Sequence, residues 1–509
     1  MKVLLINPPG ENIVPQYPNE EGEAGMVEAN GNGYFPPLGL LYVATHLEKN
    51  TLNHEIRVED CVAGNISHVQ LEKIIDEFQP DIVGVTSFTI SMVDACLVAR
   101  AARKILPKVH ICLGGHHPIA FPREAAKIPD FDSIVVGEGE ECFTELVNCL
   151  EQGNTYTHIL GVYTRESMKE WEHKKLGKDK RFLNIVTVPP AYVDDLSTIP
   201  IPNRRFIAGL RYGSILGISS NLMTIITSRG CPYLCTFCDV PYKKYRERSA
   251  KDVVDEIEEC MSLGYDEFHF YDDLFNITRK KVIAFCDEIE RRNLKVTWDF
   301  RGRVNQCDKE TLARAKKAGC RMISFGVETG SNEGLKILKK STNIEQIERT
   351  FRWCRELGII TVADYIIGFS FEKTKQDVKR SVIWCINLDP DYAQFSILQL
   401  LPNTPIFDEG LDKGLANLDK WLEFAQNPKP GFAIDHWTEH LTLPQLRKLQ
   451  TWAYRRFYFR PKYIMRSLRQ TSTAYQFKTK FRGMWTVAVG QQERPNPKGQ
   501  YMRRIDSLE

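Results

Sequence analysis

The amino-acid sequence predicts an α/β protein with two successive parallel sheets and a mainly helical C-terminal region. Three observations support this. Apolar strands alternate with amphipathic helices over residues 1–160 and again over 216–415. A charged and Pro-rich segment interrupts the alternation at 161–215. From 416 to 509 the strand pattern stops. We therefore predict an α/β domain, a linker, a second α/β unit and a helical region with these boundaries.

The first region is predicted to be a doubly wound, Rossmann-like domain. Its strands, such as "KVLLINPP" and "DIVGVTSF", are continuous apolar runs, which is typical of strands covered by helices on both faces. In such sheets ligands bind beyond the carboxyl ends of the strands. The candidate ligand contacts in the loops there are small or polar: Asn7, Asp60, Ser87, Gly114, Gly115, His116, Gly137 and Glu138.

The second region contains six strand–helix units, from "MTIITSRG" to "YAQFSILQLLP". Six units are enough to curve into an open, partial (β/α)6 barrel, whereas a closed barrel of this type has eight. Functional residues of such barrels lie at the carboxyl ends of the strands. The loop after the first strand, "RGCPYLCTFCDVP", contains Cys231, Cys235 and Cys238.

Composition excludes several classes of protein. The chain is 43% hydrophobic and 26% charged with a net charge of +2, so bulk charge favours no particular partner. No apolar run approaches the roughly 18–20 residues of a membrane span, and the start "MKVLLINPPGENI" is too short for a signal-peptide core. We therefore expect a cytoplasmic protein without a disulfide framework, despite its 14 cysteines.

The spacing of the three clustered cysteines predicts an iron–sulfur site. Three thiolates can hold three irons of a 4Fe–4S cube and leave the fourth iron open to another ligand. One alternative is a small apolar helical stripe, which Gly230 and the prolines of the loop disfavour. Another is a zinc site, which requires a fourth Cys or His that the loop lacks.

The cysteine loop, with Phe237 before the third cysteine and "TSRG" before the first, resembles the signature of the radical S-adenosylmethionine (SAM) enzymes. The resemblance implies that the open iron binds SAM and that an electron donor such as flavodoxin or ferredoxin drives its cleavage to a 5′-deoxyadenosyl radical. The segments "FYDDLF", "WDFRGRV", "SFGVETGS" and "DYIIGFSFE" resemble further family elements in the same order. The SAM contacts that they imply are Phe237, Asp272, Asp273, Arg301, Arg303, Glu328 and Gly368.

The first region resembles the domain of the cobalamin-binding subgroup of this family through "LLINPP", "PPLGLLYVATHLE", "CLGGHHP" and "GEGE". This resemblance implies cobalamin as a further cofactor. Classical cobalamin proteins carry Asp-x-His-x-x-Gly, whose His ligates cobalt, whereas this chain reads "EDCVAG" and lacks that His. The lower cobalt ligand is therefore unidentified, and His116 and His117 are candidates for contacting the corrin.

The C-terminal region is basic and aromatic, with eleven Lys or Arg and no Asp or Glu over residues 441–482. Such a segment can bind nucleic acid, lie on an anionic membrane or pack over the barrel mouth. The subgroup often ends in a helical element similar to "FYFRP". We therefore expect packing that shapes the substrate cavity, no nucleic-acid partner, and a helix break at Pro461.

The resemblance implies an enzyme, and its leading function is cobalamin-dependent methylation of an unactivated carbon in a small molecule. A second possibility is oxidation, cyclisation or rearrangement, as in the anaerobic oxidative cyclase of porphyrin biosynthesis. A third, transfer-RNA methylthiolation, requires an N-terminal cysteine trio that the scattered cysteines of the first region do not provide. A non-catalytic module that binds cobalamin or a metal is the alternative outside the enzymes.

Overall fold

A computed structural model describes residues 1–15, 33–52, 54–175, 188–214, 216–219, 221–471 and 473–489. It confirms the α/β class, with two six-stranded, mostly parallel sheets that follow one another along the chain. Part of the charged run predicted within the linker, at 176–187, lies outside the described residues.

The first sheet has the strand order β3-β1-β4-β5-β6-β7, and only β7 is antiparallel to its neighbour. Its strands are β1 (Lys2–Asn7), β3 (Glu55–Asp60), β4 (Ile82–Ser87), β5 (His110–Gly115), β6 (Ser133–Val135) and β7 (Val162–Tyr163). The short strand β2 (Gly33–Tyr34) pairs instead with β8 (Gly213–Ser214). Because β7 pairs with β6, the first sheet extends into the predicted linker.

Helices cover both faces of this sheet, as the apolar strands predict. They are α1 (Leu38–Asn50), α2 (His68–Phe78), α3 (Met92–Ile105), α4 (His116–Ala120), α5 (Pro122–Ala125), α6 (Gly139–Glu151) and α7 (Arg165–Lys175). Val3 and Leu5 of β1 belong to the same buried cluster as α1 and α6, while Leu4 and Ile6 belong to that of α2 and α3. Alternate residues of one strand thus enter two cores, as in a doubly wound sheet.

The second sheet is a curved, all-parallel sheet in the order β16-β15-β14-β13-β12-β9. Its strands are β9 (Leu222–Ile225), β12 (Glu267–Phe270), β13 (Thr297–Gly302), β14 (Cys320–Glu328), β15 (Ile360–Ile367) and β16 (Tyr392–Ile397). The two-residue strands β10 (Ser228–Arg229) and β11 (Arg246–Glu247) form a hairpin around the cysteine loop. Since β9 and β16 do not pair with each other, the barrel is open, as predicted.

The helices of the barrel begin where the sequence provides capping residues. They are α8 (Ala250–Ser262), α9 (Arg279–Arg291), α10 (Lys309–Lys317), α11 (Asn332–Ile337), α12 (Ile344–Leu357) and α13 (Lys375–Leu388). At the start of α8, α9 and α10, the side chains of Ser249, Thr278 and Asp308 accept a hydrogen bond from a backbone N–H of the first turn. These caps satisfy amides that have no partner within the helix.

The C-terminal helices pack in two places. They are α14 (Pro405–Asp412), α15 (Leu418–Gln426), α16 (Leu443–Tyr458), α17 (Pro461–Arg469) and α18 (Ala474–Val489). Helices α14 and α15 contact the cysteine loop and the first domain, and α16 covers the edge of the barrel. The helix break at Pro461 is confirmed. The Tyr458 hydroxyl of α16 accepts from the Ala393 N–H at 3.2 Å and donates to its carbonyl at 2.8 Å, and Gln450 Nε2 donates to the Phe395 carbonyl at 2.7 Å. The helix therefore pairs the open backbone groups of edge strand β16.

The basic residues of this region also have structural partners. The side chains of Arg460, Lys462 and Arg466 form ion pairs with Asp389 at the end of α13. We expected this region to pack over the barrel mouth. Helix α16 runs along the barrel edge, and near its start Leu446 lies against Gly368 at the strand end. No helix in the described part of the chain is both long and apolar enough to span a bilayer.

Candidate active site

The cysteine loop is irregular and is closed at its base by the β10–β11 hairpin. The Cys231 N–H donates to the Tyr242 carbonyl at 2.9 Å, and the Cys238 N–H donates to the Cys235 carbonyl at 3.2 Å. Gly230 has φ +83°, and a Cβ there would lie 2.4 Å from the Lys244 carbonyl oxygen, so glycine is required. Residues 231–241 form no helix. The alternative of a helical stripe is therefore wrong.

The three thiols fit a cluster with an open corner. All are free of disulfides; Cys235 is buried, while Cys231 and Cys238 are partly exposed. Burial raises the pKa of the Cys231 and Cys238 thiols, so metal ligation must displace their protons. Among the described residues, no three His, Cys, Asp or Glu side chains surround a single metal-ion position. A 4Fe–4S cube needs no such group, since each thiolate binds a different iron.

Arg303, which follows β13, lies against the cysteine loop. Its Nη1 is 3.4 Å from Cys235 Sγ, and its guanidinium carbon lies 3.8 Å from the centre of the Tyr233 ring. Within the described residues its Nη2 is buried without a hydrogen-bond partner. An unpaired buried donor beside three thiols suits an anionic occupant. Arg303 was predicted to contact SAM, and the structure places its Nη1 against Cys235 Sγ.

A second charged group lies at the carboxyl ends of β14 and β15. Glu328 ends β14 with φ +63°, and its Oε1 accepts from Lys340 Nζ at 2.8 Å. A Cβ at Gly326 would lie 2.4 Å from Glu328 Oε1, so the missing side chain makes room for this pair. Burial, and then the charge of Glu328, raise the pKa of Asp364 to about 6. Sequence reasoning missed Asp364, although a lone carboxylate within the apolar strand "VADYII" is a usable signal.

The other predicted SAM contacts divide into open and engaged residues. Asp273 and Arg301 are exposed; Asp273 accepts from the Gly230 N–H at 3.2 Å, and the Arg301 guanidinium lies 5.4 Å from the centre of the Tyr271 ring. Asp272 is buried and accepts from the Thr227 N–H at 2.7 Å and from Lys281 Nζ at 3.1 Å. The carboxylate of Asp272 thus braces the strand ends, while that of Asp273 stays open.

The two remaining predicted SAM contacts are Phe237 and Gly368. The centre of the Phe237 ring lies 5.8 Å from Lys340 Nζ and 6.2 Å from the centre of the Phe369 ring. Gly368 has φ +89°, and its N–H donates to Glu372 Oε2 at 2.7 Å. Burial raises the pKa of Glu372 to about 7. The structure therefore brings Phe237, Glu328 and Gly368 to the same end of the barrel as the cysteines.

In the first domain, several predicted ligand contacts are bound to protein partners. Asn7 Nδ2 donates to Asp60 Oδ1 at 2.8 Å, and the Tyr212 hydroxyl donates to Asp60 Oδ2 at 2.9 Å. Burial is the main cause that raises the pKa of Asp60. Gly115 has φ +92°, and a Cβ there would lie 2.5 Å from the Ser87 carbonyl oxygen, so this glycine is set by the backbone.

An open surface remains at the carboxyl end of β5. A Cβ at Gly114 would meet no described atom within 4 Å. Beside it, the exposed rings of Phe88 and His116 stack with their centres 4.8 Å apart and their planes at 11°. His116 interacts electrostatically with Asp239 and Asp273, which flank the cysteine site. A flat aromatic pair beside a bare glycine fits a planar macrocycle such as a corrin.

The adjacent His117 plays a different part. It is buried, and its ring nitrogens lie 3.1 Å from Thr89 Oγ1 and 3.2 Å from the Ala425 carbonyl oxygen of α15. Burial lowers the pKa of His117 to about 4, so its ring is neutral at physiological pH. Both nitrogens thus have protein partners, which leaves His116 as the open histidine of the two candidates.

The predicted contacts Gly137 and Glu138 join the two domains. The Glu138 carboxylate binds Arg246 through two oxygens at 2.7 and 2.9 Å and accepts from the Val193 N–H at 2.7 Å. Arg229, two residues before Cys231, pairs with Glu140 at 2.5 Å and with Glu138 at 3.3 Å. Burial alone would raise the pKa of Glu138, but the Arg246 hydrogen bonds hold it below its usual value.

We call Glu138, Glu140, Arg229 and Arg246 the interdomain clamp. A Cβ at Gly137 would lie 2.2 Å from the Ala191 carbonyl oxygen, so this turn is also packed against protein. The clamp fixes the hairpin of the cysteine loop against the first domain. Sequence reasoning missed both arginines, because nothing local marks a partner about a hundred residues away.

Family models match both domains. The model of the "Radical SAM superfamily" matches residues 225–381, and that of the "B12 binding domain" matches 26–147. An uncharacterized methyltransferase of Pyrococcus horikoshii is 29% identical, with 92% of this chain and 95% of that protein covered. The anaerobic magnesium-protoporphyrin IX monomethyl ester cyclase of Rubrivivax gelatinosus is 30% identical, with 81% of this chain and 70% of that protein covered.

Solved structures share the fold. The radical SAM methyltransferase TsrM from Kitasatospora setae has a TM-score of 0.63 at 23% identity, over 81% of this chain and 76% of that chain. The cobalamin-dependent SAM radical enzyme OxsB has a TM-score of 0.65 at 16% identity, over 99% of this chain and 75% of that chain. The order of a parallel-sheet domain and then an open barrel is therefore a known arrangement.

Proposed function

The chain belongs to the radical SAM superfamily, in the group that carries a B12-binding domain, and we propose that it methylates an unactivated carbon of a small molecule. Membership confirms the resemblance read from the sequence. It makes the chain an enzyme whose cofactors are a 4Fe–4S cluster, SAM and cobalamin. When bound, these groups supply a 5′-deoxyadenosyl radical and a transferable methyl group.

The residues of the barrel would divide the work of holding these groups. Cys231, Cys235 and Cys238 would hold the cluster. The open carboxylate of Asp273, the exposed guanidinium of Arg301, and Glu328 would bind the polar groups of SAM, a sulfonium nucleoside whose methionine part carries an ammonium and a carboxylate. Phe237 would contact the apolar parts of SAM. Gly368 would act from the strand end, since a Cβ there would lie 3.1 Å from the Leu446 side chain of α16.

In the first domain, Gly114 and the Phe88–His116 pair would support cobalamin. The clamp between Glu138 and Arg246 would hold this surface at a fixed position relative to the cysteine loop. Helix α16, which pairs the open edge of β16, would limit the access of water to the barrel interior, where a radical must be protected.

The observation that carries the proposal is the proximity of the two candidate cofactor surfaces. Arg229, two residues before Cys231, pairs with Glu140 of the first domain at 2.5 Å, and Arg246 of the same hairpin pairs with Glu138 at 2.7 Å. The charges of Asp239 and Asp273 beside the cysteine loop also act on the pKa of His116. A reaction that uses both groups on one substrate requires such an arrangement. Methyl transfer is a reaction of this kind.

The test is anaerobic reconstitution followed by product analysis. We expect roughly four irons and four sulfides per chain, together with bound cobalamin. When an electron donor such as flavodoxin or ferredoxin is added, SAM should be cleaved to 5′-deoxyadenosine. With SAM labelled in its methyl group, the product should gain one labelled methylene unit. Failure to cleave SAM under any of these conditions would refute the proposal.

An oxidative cyclisation is the second candidate, supported by the Rubrivivax gelatinosus relative, which is a cyclase. It uses the same cofactors but changes the substrate differently. A product that loses hydrogen or gains oxygen, without label from the SAM methyl group, would favour this reaction over methylation.

A further inference from the structure

Arg303 is bonded to one of the three cysteines that define the site. Its Nη1 donates to Cys235 Sγ at 3.4 Å, and Cys235 is the buried member of the trio. The second arm, Nη2, is buried and has no hydrogen-bond partner in the described part of the chain. One side of the guanidinium thus meets a cluster ligand, and an adjacent donor is left for a further anionic group.

The position of Arg303 is fixed from behind by the chain itself. Asn276, which is buried, accepts from the Arg303 N–H at 2.9 Å and donates to its carbonyl at 3.0 Å. Asn305 Oδ1 accepts from Arg303 Nε at 3.3 Å. These bonds hold both the backbone and the inner edge of the guanidinium, so little conformational entropy is lost when the outer edge binds.

Tyr233, within the cysteine loop, supports the guanidinium face. The guanidinium carbon lies 3.8 Å from the ring centre, and Gln306 Nε2 donates to the Tyr233 hydroxyl at 2.6 Å. A cation on an aromatic face is further stabilised where water is excluded. The loop therefore supplies both the cysteine and the surface that aims Arg303 at it.

The chemistry of iron–sulfur clusters gives this contact a consequence. Reduction adds one negative charge to the cluster, and donors to its sulfurs stabilise that charge. A cation held in a buried site does so more strongly than one in water. Removal of the donor should therefore disfavour the reduced state more than the oxidised state.

We propose that Arg303 is a positioning residue that raises the reduction potential of the cluster through its bond to the sulfur of Cys235. This inference rests on the proposed function in one respect, because it requires a 4Fe–4S cluster on the loop. Arg303 thereby sets how readily an electron from the donor enters the cluster. This role differs from ligating the cluster and from binding SAM.

The experiment is a redox titration of the full-length, reconstituted protein without SAM, followed by electron paramagnetic resonance. We expect Arg303→Gln to lower the ratio of reduced to oxidised cluster about tenfold at a fixed potential, a shift of about 59 mV for one electron. Arg303→Lys keeps the positive charge but loses the planar guanidinium, so its reduction potential should lie between those of the wild type and Arg303→Gln. Tyr233→Leu, which removes the supporting ring, should shift the potential in the same direction by less.

Arg279→Gln is the control, because Arg279 is an exposed arginine at the start of α9 whose guanidinium pairs with Glu310 and Asp308 instead of contacting the loop. Its potential should equal that of the wild type. An unchanged potential in Arg303→Gln with full iron content would overturn the inference and leave the proposed function intact. Loss of iron from all the Arg303 and Tyr233 variants would also overturn it, since Arg303 would then serve assembly. A wild-type protein that binds no cluster would instead refute the proposed function.

Discussion

The strand-end loops of both sheets form a candidate ligand surface, but the residues that stay open to a ligand differ between the two domains. In the first domain, the predicted polar contacts Asn7, Asp60 and Glu138 are bonded to other protein groups, and the open surface consists of Gly114 and two stacked rings. In the barrel, charged groups stay available, including exposed Arg301 and Asp273. The first edge suits a broad, flat ligand, and the second suits a charged ligand that must be oriented.

The interdomain clamp links these two edges. The side chains of Glu138, Glu140 and Arg246 are almost completely buried, that of Arg229 is partly exposed, and each carboxylate meets a guanidinium. Such pairs contribute little net stability relative to apolar packing, but they fix the geometry of the groups that they join. In the first domain the polar strand-end residues Asp60 and Glu138 have protein partners, whereas in the barrel Asp272 and Glu328 have such partners and Asp273 and Arg301 stay exposed.

The largest effect is expected from Cys235→Ala, which removes one of the three candidate cluster ligands of the barrel and changes no residue of the first domain. Two thiolates cannot hold the cube in a defined state, so iron content should fall to a small fraction and 5′-deoxyadenosine release should drop at least about a hundredfold. Cobalamin binding to the separate first domain should persist. Iron analysis, product chromatography and the cobalamin absorbance check these outcomes.

Cys260→Ala is the control for this experiment, because Cys260 is a buried cysteine in α8 and belongs to the hydrophobic core. Its iron content should equal that of the wild type. If Cys235→Ala kept both iron and SAM cleavage, the assignment of the cysteine loop would be wrong.

Glu138→Ala tests the link between the edges and should have the next largest effect. It leaves Arg246 buried without its main partner, which typically costs about 3–5 kcal/mol in the free energy of unfolding. Denaturant titration measures this cost. The exposed pair Lys251–Asp255 on α8 gives the control, since Lys251→Ala should leave the denaturant midpoint nearly unchanged. Equal costs for the two variants would show that the clamp has no structural role.

The sequence predicted the elements well and their partners poorly. The apolar periodicity located all six barrel strands, because that signal is local. The cysteine spacing is also a local signal, and the cluster site that it predicts stays a prediction. The use of Glu138 could not be predicted, since its partner Arg246 is 108 residues away. A sequence shows that a polar residue follows a strand, but only the packed structure shows whether another side chain has already bound it.

The buried His117 gives a pH test of the first-domain edge. Its pKa is about 4 in the folded protein and near 6.5 when unfolded, so the unfolded chain binds more protons between these values. The contribution of His117 to stability should therefore be constant above about pH 6.5 and should fall as the pH drops towards 4, by up to about 3 kcal/mol. His117→Gln should flatten this part of the difference curve in denaturant titrations at several pH values. A wild-type curve parallel to that of the variant would contradict the buried, neutral ring.

Gly114→Leu is the mildest test and separates ligand binding from folding. Because a Cβ at this position meets no described atom within 4 Å, the substitution should change the free energy of unfolding by less than about 0.5 kcal/mol. A leucine there would stand on the surface that we assign to cobalamin, and we expect its affinity to fall at least about tenfold, measured by titration of the apoprotein. Gly137→Ala is the opposite control, since its Cβ would lie 2.2 Å from the Ala191 carbonyl oxygen and should destabilise the fold. Unchanged cobalamin affinity in Gly114→Leu would mean that the ligand of the first domain lies elsewhere. The strand ends of the first domain would then not form the flat ligand surface that we contrast with the charged one of the barrel.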